Sequence, residues 1–159
     1  MCRRPVAPVP RTRPNLVIAV DPGRDKCGVA VVRSDGTCPE KRVVAAAEVG
    51  EVAAAMAAGH GATTLVIGDR TGSRETVRAL ERLGVFESIV RTDEHRSTEE
   101  AKELYFREQP PRGLRRLIPA GFLRPPEPLD HYAAWVLGRR FFGASDPGRG
   151  LVSRTGRDR

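Results

Sequence analysis

Cysteine is scarce: Cys2, Cys27 and Cys38 are the only three in 159 residues. The number is odd and the spacing matches no zinc motif. Neither a disulfide framework nor a Cys/His metal centre is expected, and a reduced, cytoplasmic chain is the natural reading. No apolar run approaches the length of a membrane span, and Met1-Cys2-Arg3-Arg4 leads into Pro5 rather than a signal-type stretch. No membrane partner is therefore expected. Aromatics make up 5% of the chain, with Tyr105, Phe106 and Phe122 flanking its most basic stretch. That is thin material for recognition by base stacking, and recognition by shape fits better. No Gly-rich loop precedes a lysine in the Walker manner.

Lysine is nearly missing. Of 27 basic residues only Lys26, Lys41 and Lys102 are lysines, which leaves 24 arginines. Arginine suits bidentate phosphate binding, although a GC-rich coding sequence gives the same bias. The net charge of +7 is unevenly placed. Residues 1–14 carry four arginines and no acid, and residues 143–159 carry four against Asp146 and Asp158, so the two ends hold six of the seven excess charges. Both ends are expected to be disordered: 1–14 a basic arm with four prolines, 143–159 a Gly- and Arg-rich tail. Within the remaining body one stretch is basic, with Arg107, Arg112, Arg115, Arg116 and Arg124 against Glu108. Its arginines are either solvated loop charge or contacts to a nucleic-acid backbone.

The body, 15–142, reads as one domain. Strands are expected near 16–21, 27–33 and 42–48, with Ser34-Asp35-Gly36 as the hairpin turn between the second and third. A helix follows at roughly 50–58, ended by Gly59 and Gly61, then a strand at 64–67. Ser73 is placed to cap a helix carrying Val77, Leu80 and Leu83 on one face. A fifth strand spans 88–92, and Ser97-Thr98-Glu99-Glu100 has the form of a capping box for a helix to about 108. Residues 110–128 read as an irregular, proline-rich connection, and a last helix covers 129–142. The order βββ-α-β-α-β-α-α implies an α/β fold: a mixed five-stranded sheet with helices on both faces.

Leu16-Val17-Ile18-Ala19-Val20 is apolar on both faces, the mark of a central strand, and it ends in Asp21-Pro22-Gly23. Asp-Pro-Gly is a turn signal by itself. It becomes a site only if further carboxylates converge on Asp21. In open α/β sheets sites form beyond the C-terminal ends of parallel strands, and Asp69, Asp93 and Glu94 stand at such ends. Asp130 opens the last helix on the face of Ala133, Ala134, Leu137 and Phe141, which points it inward. A role limited to the helix dipole would not need that position. Clustered carboxylates repel one another unless a divalent cation joins them, and oxygen ligands select Mg²⁺ or Mn²⁺. His95 and His131 adjoin candidate acids, either as further site members or as ordinary polar residues.

Three segments together resemble the YqgF/RuvX family, relatives of the RuvC Holliday-junction resolvases with a ribonuclease H-like fold. They are Val20-Asp21-Pro22-Gly23 with Cys27-Gly28-Val29-Ala30, Thr92 to Ala101, and Leu129-Asp130-His131-Tyr132-Ala133-Ala134. The resemblance implies a metal-binding catalytic triad of Asp21, Glu94 and Asp130, with Asp69 as an auxiliary ligand. It also implies nucleic-acid contacts from Arg96, Ser97 and Thr98, beside Arg112, Arg115 and Arg116. The arginine that follows Asp-Glu in the family is His95 here, with Arg96 displaced by one. The family's Gly-Leu-Pro-Leu-Asn segment is replaced by Gly68-Asp69-Arg70-Thr71-Gly72-Ser73.

The implied activity is metal-assisted phosphodiester hydrolysis, with two ions about 3.5–4 Å apart clamping an in-line displacement. The implied substrate is structured RNA, at the 5′ end of 16S ribosomal RNA precursors, or branched DNA as in RuvC. Symmetric junction cutting needs a homodimer, whereas RNA trimming does not. A non-catalytic nucleic-acid-binding domain of the same fold remains the alternative. Sugar kinases and actin-like ATPases share an Asp-x-Gly strand turn but need a second domain, for which this chain is too short.

Overall fold

The computed structural model describes residues 14–69, 73–93 and 97–143. Strands β1 (Leu16–Asp21), β2 (Lys26–Arg33) and β3 (Glu40–Ala45) are followed by helix α1 (Val49–His60), strand β4 (Thr64–Gly68) and helix α2 (Ser73–Leu83). Strand β5 (Ser88–Thr92), helix α3 (Ser97–Glu108), two short 3-10 turns (Gly113–Leu117 and Ala120–Phe122) and helix α4 (Asp130–Phe141) complete the order. The sheet runs β3-β2-β1-β4-β5. β2 is antiparallel to β1 and β3, whereas β1, β4 and β5 are parallel neighbours. The expected mixed five-stranded α/β fold is present.

β1 sits in the middle because its alternating side chains must be buried on both sides. Val17 and Ala19 enter one core with Ala30, Val32 and Val66 against α3 and α4. Ile18 and Val20 enter the other, with Val29, Val31, Leu65 and Ile67 against α1 and α2. Each fully buried Val, Leu or Ile contributes about 1.5–3 kcal/mol of apolar transfer free energy. α1 is rich in alanine and rests Val49, Ala53, Met56 and Ala57 on the sheet, a spacing of one helical face. It runs past Gly59 to His60 and stops at Gly61, whose φ of 73° closes the helix through an N–H to the Ala57 carbonyl.

Two sequence expectations are corrected. β3 lies at 40–45 rather than 42–48. The Ser34-Asp35-Gly36 turn forms as expected, with Gly36 N–H to Arg33 O at 2.9 Å. Pairing then begins at Val31↔Glu40 and runs out where β2 starts, at Lys26↔Ala45, so the apolar residues beyond Ala45 have no strand to pair with. On α2, Val77 and Leu80 are buried but Leu83 is 46% exposed, and Thr76 takes the inward position instead. α3 runs from Ser97 to Glu108 as expected, with the Ser97 side chain buried. The proposed cap at Ser73 concerns a side chain outside the described residues, as do most of 1–14 and 143–159.

Candidate functional site

The chemistry gathers at the C-terminal end of β1. Asp21 is the last residue of that strand and pairs across the sheet with Gly28 of β2. The first residue of α4 lands on the same spot. A Cβ on Gly28 would lie 1.9 Å from the Asp130 carbonyl oxygen, so only glycine lets the helix start so close to the strand. This contact brings Asp130 beside Asp21. Both are half-buried, and both line one recess of about 480 Å³ with Ser97, Thr98 and Lys102 of α3 and with Arg124.

Cys27 reports the same convergence electrostatically. Burial pushes its thiol up, and the charges of Asp21 and Asp130 push it further, against a weak hydrogen bond from Sγ to the Gly23 carbonyl at 3.8 Å. Both causes hold the thiol toward its protonated form. Carboxylate and hydroxyl oxygens remain, a donor set that suits a hard divalent cation. No group of three His, Cys, Asp or Glu side chains placed to hold a metal occurs among the described residues. Glu94, His95 and Arg96 lie outside them, so two of the three expected acids are positioned.

The other expected residues divide clearly. Ser97 is buried and Thr98 exposed, and both face the recess. Asp69 follows β4, the neighbour of β1, but is exposed and does not line the recess. Asp93 follows β5, where its carbonyl accepts Arg140 Nη1 at 2.7 Å. His131 leaves the recess altogether and packs on Tyr132 with ring centroids 4.5 Å apart. Burial holds its imidazole below the ordinary histidine value, helped by the charge of Lys41. Arg112, Arg115 and Arg116 are exposed on the connection from α3 to α4, with Arg115 Nη2 donating to the Arg124 carbonyl at 3.3 Å.

Sequence reasoning missed Lys102 and undervalued Arg124. Lys102 is one helical turn beyond Thr98, which is the available signal. Arg124 was visible only as part of the basic stretch, because nothing local says that the connection folds back over the acids. Thirty-five solved chains match this fold. A Thermus thermophilus RuvC structure aligns over 81% of this chain and 94% of its own, with a TM-score of 0.55 at 12% identity.

The fold is ribonuclease H-like, as in RuvC.

A second RuvC structure from T. thermophilus, in complex with Holliday junction substrate, covers the same shares at a TM-score of 0.50 and 16% identity. No family model and no curated protein sequence matches the chain. The RuvC-like fold is thus carried by topology and not by sequence identity. Among the described residues no helix is long and apolar enough to cross a membrane.

Proposed function

We propose that the chain is a divalent-metal-dependent nuclease that hydrolyses phosphodiester bonds in structured nucleic acid. The observation that carries this reading is the meeting of Asp21 and Asp130 at one recess, enforced by Gly28. Asp21, Asp130 and Glu94 would hold Mg²⁺ or Mn²⁺. A bound cation supplies charge neutralisation between the carboxylates and polarises a phosphoryl oxygen. Asp21 is anchored by strand pairing and Asp130 by the helix start, so both are held rigidly, as positioning of a phosphodiester requires. Lys102 and Arg124 add positive charge at the rim for the flanking phosphates.

The preferred substrate in this reading is the 5′ region of precursor 16S ribosomal RNA, which follows from the resemblance to YqgF/RuvX. A second reading, resolution of four-way DNA junctions, is favoured by the RuvC neighbour seen with Holliday junction substrate. The test is cleavage by the full chain, with Mg²⁺ and with Mn²⁺, of a precursor 16S RNA 5′ fragment and of a four-way DNA junction. Asp21→Asn and Asp130→Asn are each expected to lower the rate at least about a hundredfold with folding intact. Even outer partners of metal ligands cost about 10–100-fold. Cleavage at the wild-type rate in either variant overturns the mechanism, and cleavage of the junction alone selects the second reading.

A further inference from the structure

The connection between α3 and α4 leaves large apolar side chains in water beside the candidate site. Leu114 is 84% exposed, Leu117 81% and Phe122 81%. One exposed leucine needs no explanation, but three large apolar side chains so exposed within nine residues call for one. The segment is nevertheless held in place. Its two 3-10 turns are closed by Ile118 N–H to Arg115 O at 3.2 Å and Phe122 N–H to Pro119 O at 2.9 Å, and the next residue, Leu123, is buried. Its prolines stiffen it further, so little order has to be gained on binding.

The charge around these side chains narrows what covers them. Residues 109–126 contain Arg112, Arg115, Arg116 and Arg124 and no acid. A second copy meeting this surface with its own would oppose arginine to arginine. A polyanion that also presents flat apolar faces satisfies both features. Continuity fixes the place, since Arg124 and Pro125 are at once the end of this segment and part of the recess that holds Asp21 and Asp130. Nucleic acid offers base faces only where its bases are not already stacked on one another.

We propose that residues 112–124 are the specificity element of this site: the arginines hold phosphates, and Phe122 with Leu114 and Leu117 packs on unstacked bases beside the scissile bond. The inference rests on the nuclease reading and deepens it. The substrate class becomes nucleic acid with unpaired or splayed bases next to the cut, rather than continuous duplex. It also revises the sequence expectation that stacking plays little part. The aromatic content is low, but one of the few aromatics is presented where stacking would count.

The test compares the full chain's affinity, by fluorescence anisotropy with calcium in place of magnesium, for a paired RNA duplex and for that duplex interrupted by an internal loop. The wild type is expected to prefer the looped RNA about tenfold, the size of one base–aromatic stack. Phe122→Ala is expected to bring the looped RNA down to the duplex value, whereas Phe122→Trp retains the preference. Equal wild-type binding of both RNAs, or an unchanged preference in Phe122→Ala, overturns the proposal. So does a dimer that Phe122→Ala converts to monomer in sedimentation, or binding to phosphatidylglycerol vesicles that alone depends on Phe122. Preference without cleavage would sink the nuclease reading and leave residues 112–124 only as a binding element for unstacked bases. Cleavage without preference would leave the nuclease reading and overturn this one, as would a failure to bind RNA at all.

Discussion

Glu108 sits partly exposed at the end of α3, and its environment is built from four elements. Lys41 of β3 reaches its carboxylate at 2.8 Å, and the Tyr132 hydroxyl of α4 donates to it at 2.8 Å. The same Lys41 ammonium lies 5.0 Å from the Tyr132 ring centre and 5.1 Å from that of Trp135, a cation–π arrangement. Trp135 in turn donates to the Gly36 carbonyl of the β2–β3 turn at 2.9 Å. Burial pushes the Glu108 carboxyl up, but the hydrogen bonds from Lys41 and Tyr132 and the charges of Lys41 and His131 outweigh it and hold it below the usual value. A carboxyl so held binds its proton less readily folded than unfolded. It therefore stabilises above the ordinary glutamate value of about 4.3, and that contribution is lost as pH falls through the folded value. Urea titrations between about pH 6 and pH 3 should show Glu108→Gln less stable than wild type at the upper end, with the gap narrowing as pH drops. A gap that does not change with pH would show that the carboxylate's charge contributes nothing there. Cys38, beside this cluster, has its thiol pushed up to about 12, chiefly by burial, and so remains protonated at neutral pH.

At the scale of the element, α4 decides the geometry of the site. Its residues from Tyr132 to Gly138 are all buried, because it lies across β2 and β1 and packs against α3. Two glycines seat it. Gly28 admits the Asp130 backbone, and Gly138 admits Val32, whose Cγ2 lies 2.4 Å from where a Cβ would be. Gly138→Ala meets only a side chain and is expected to cost about 1–3 kcal/mol of stability with cleavage largely kept below the melting point. Gly28→Ala meets backbone at the site itself, so it should lower stability and also abolish cleavage at temperatures where the variant remains folded. Thermal melts paired with cleavage rates check both, and equal activity in the two variants would show that α4's start does not position Asp130. These elements were legible because their patterns are strong: five apolar residues for β1 and a 3-4 repeat from Asp130 for α4. The end of β3 was not, since Ala46 and Ala47 continue an apolar run and only the length of β2 stops the pairing. Leu83 was misjudged for a related reason: its spacing fits the helix face, but at the end of α2 it meets Gly50 of α1, whose lack of a side chain leaves it half-exposed.

Across the whole molecule, charge is arranged by sign and place. The net charge of +7 sits largely outside the body, while the body concentrates its own excess on the connection that borders the acids. Binding carried by phosphate contacts falls with salt, with a log–log slope set by the number of cations engaged. Replacing Arg112, Arg115 and Arg116 by alanine should flatten that slope by roughly one for each residue, measured as affinity for duplex RNA against potassium chloride concentration. An unchanged slope would assign all three to solvent and leave binding to other cations of the chain. The RuvC-like topology at 12% identity fits this view of the molecule. A fold is kept by packing, which many sequences satisfy.

By itself the sequence determined the elements, their order, the central place of β1 and the inward face of Asp130, because hydrophobic period and turn chemistry act over a few neighbours. Tertiary structure alone decided three further matters. It seated Asp130 against Gly28 and thus beside Asp21, more than a hundred residues earlier in the chain. It left Asp69 and His131 outside the lining of that recess. It folded the connection so that Arg124 borders the acids while Leu114, Leu117 and Phe122 face water. Each of these depends on which distant backbone a residue meets, and no local pattern encodes that distance.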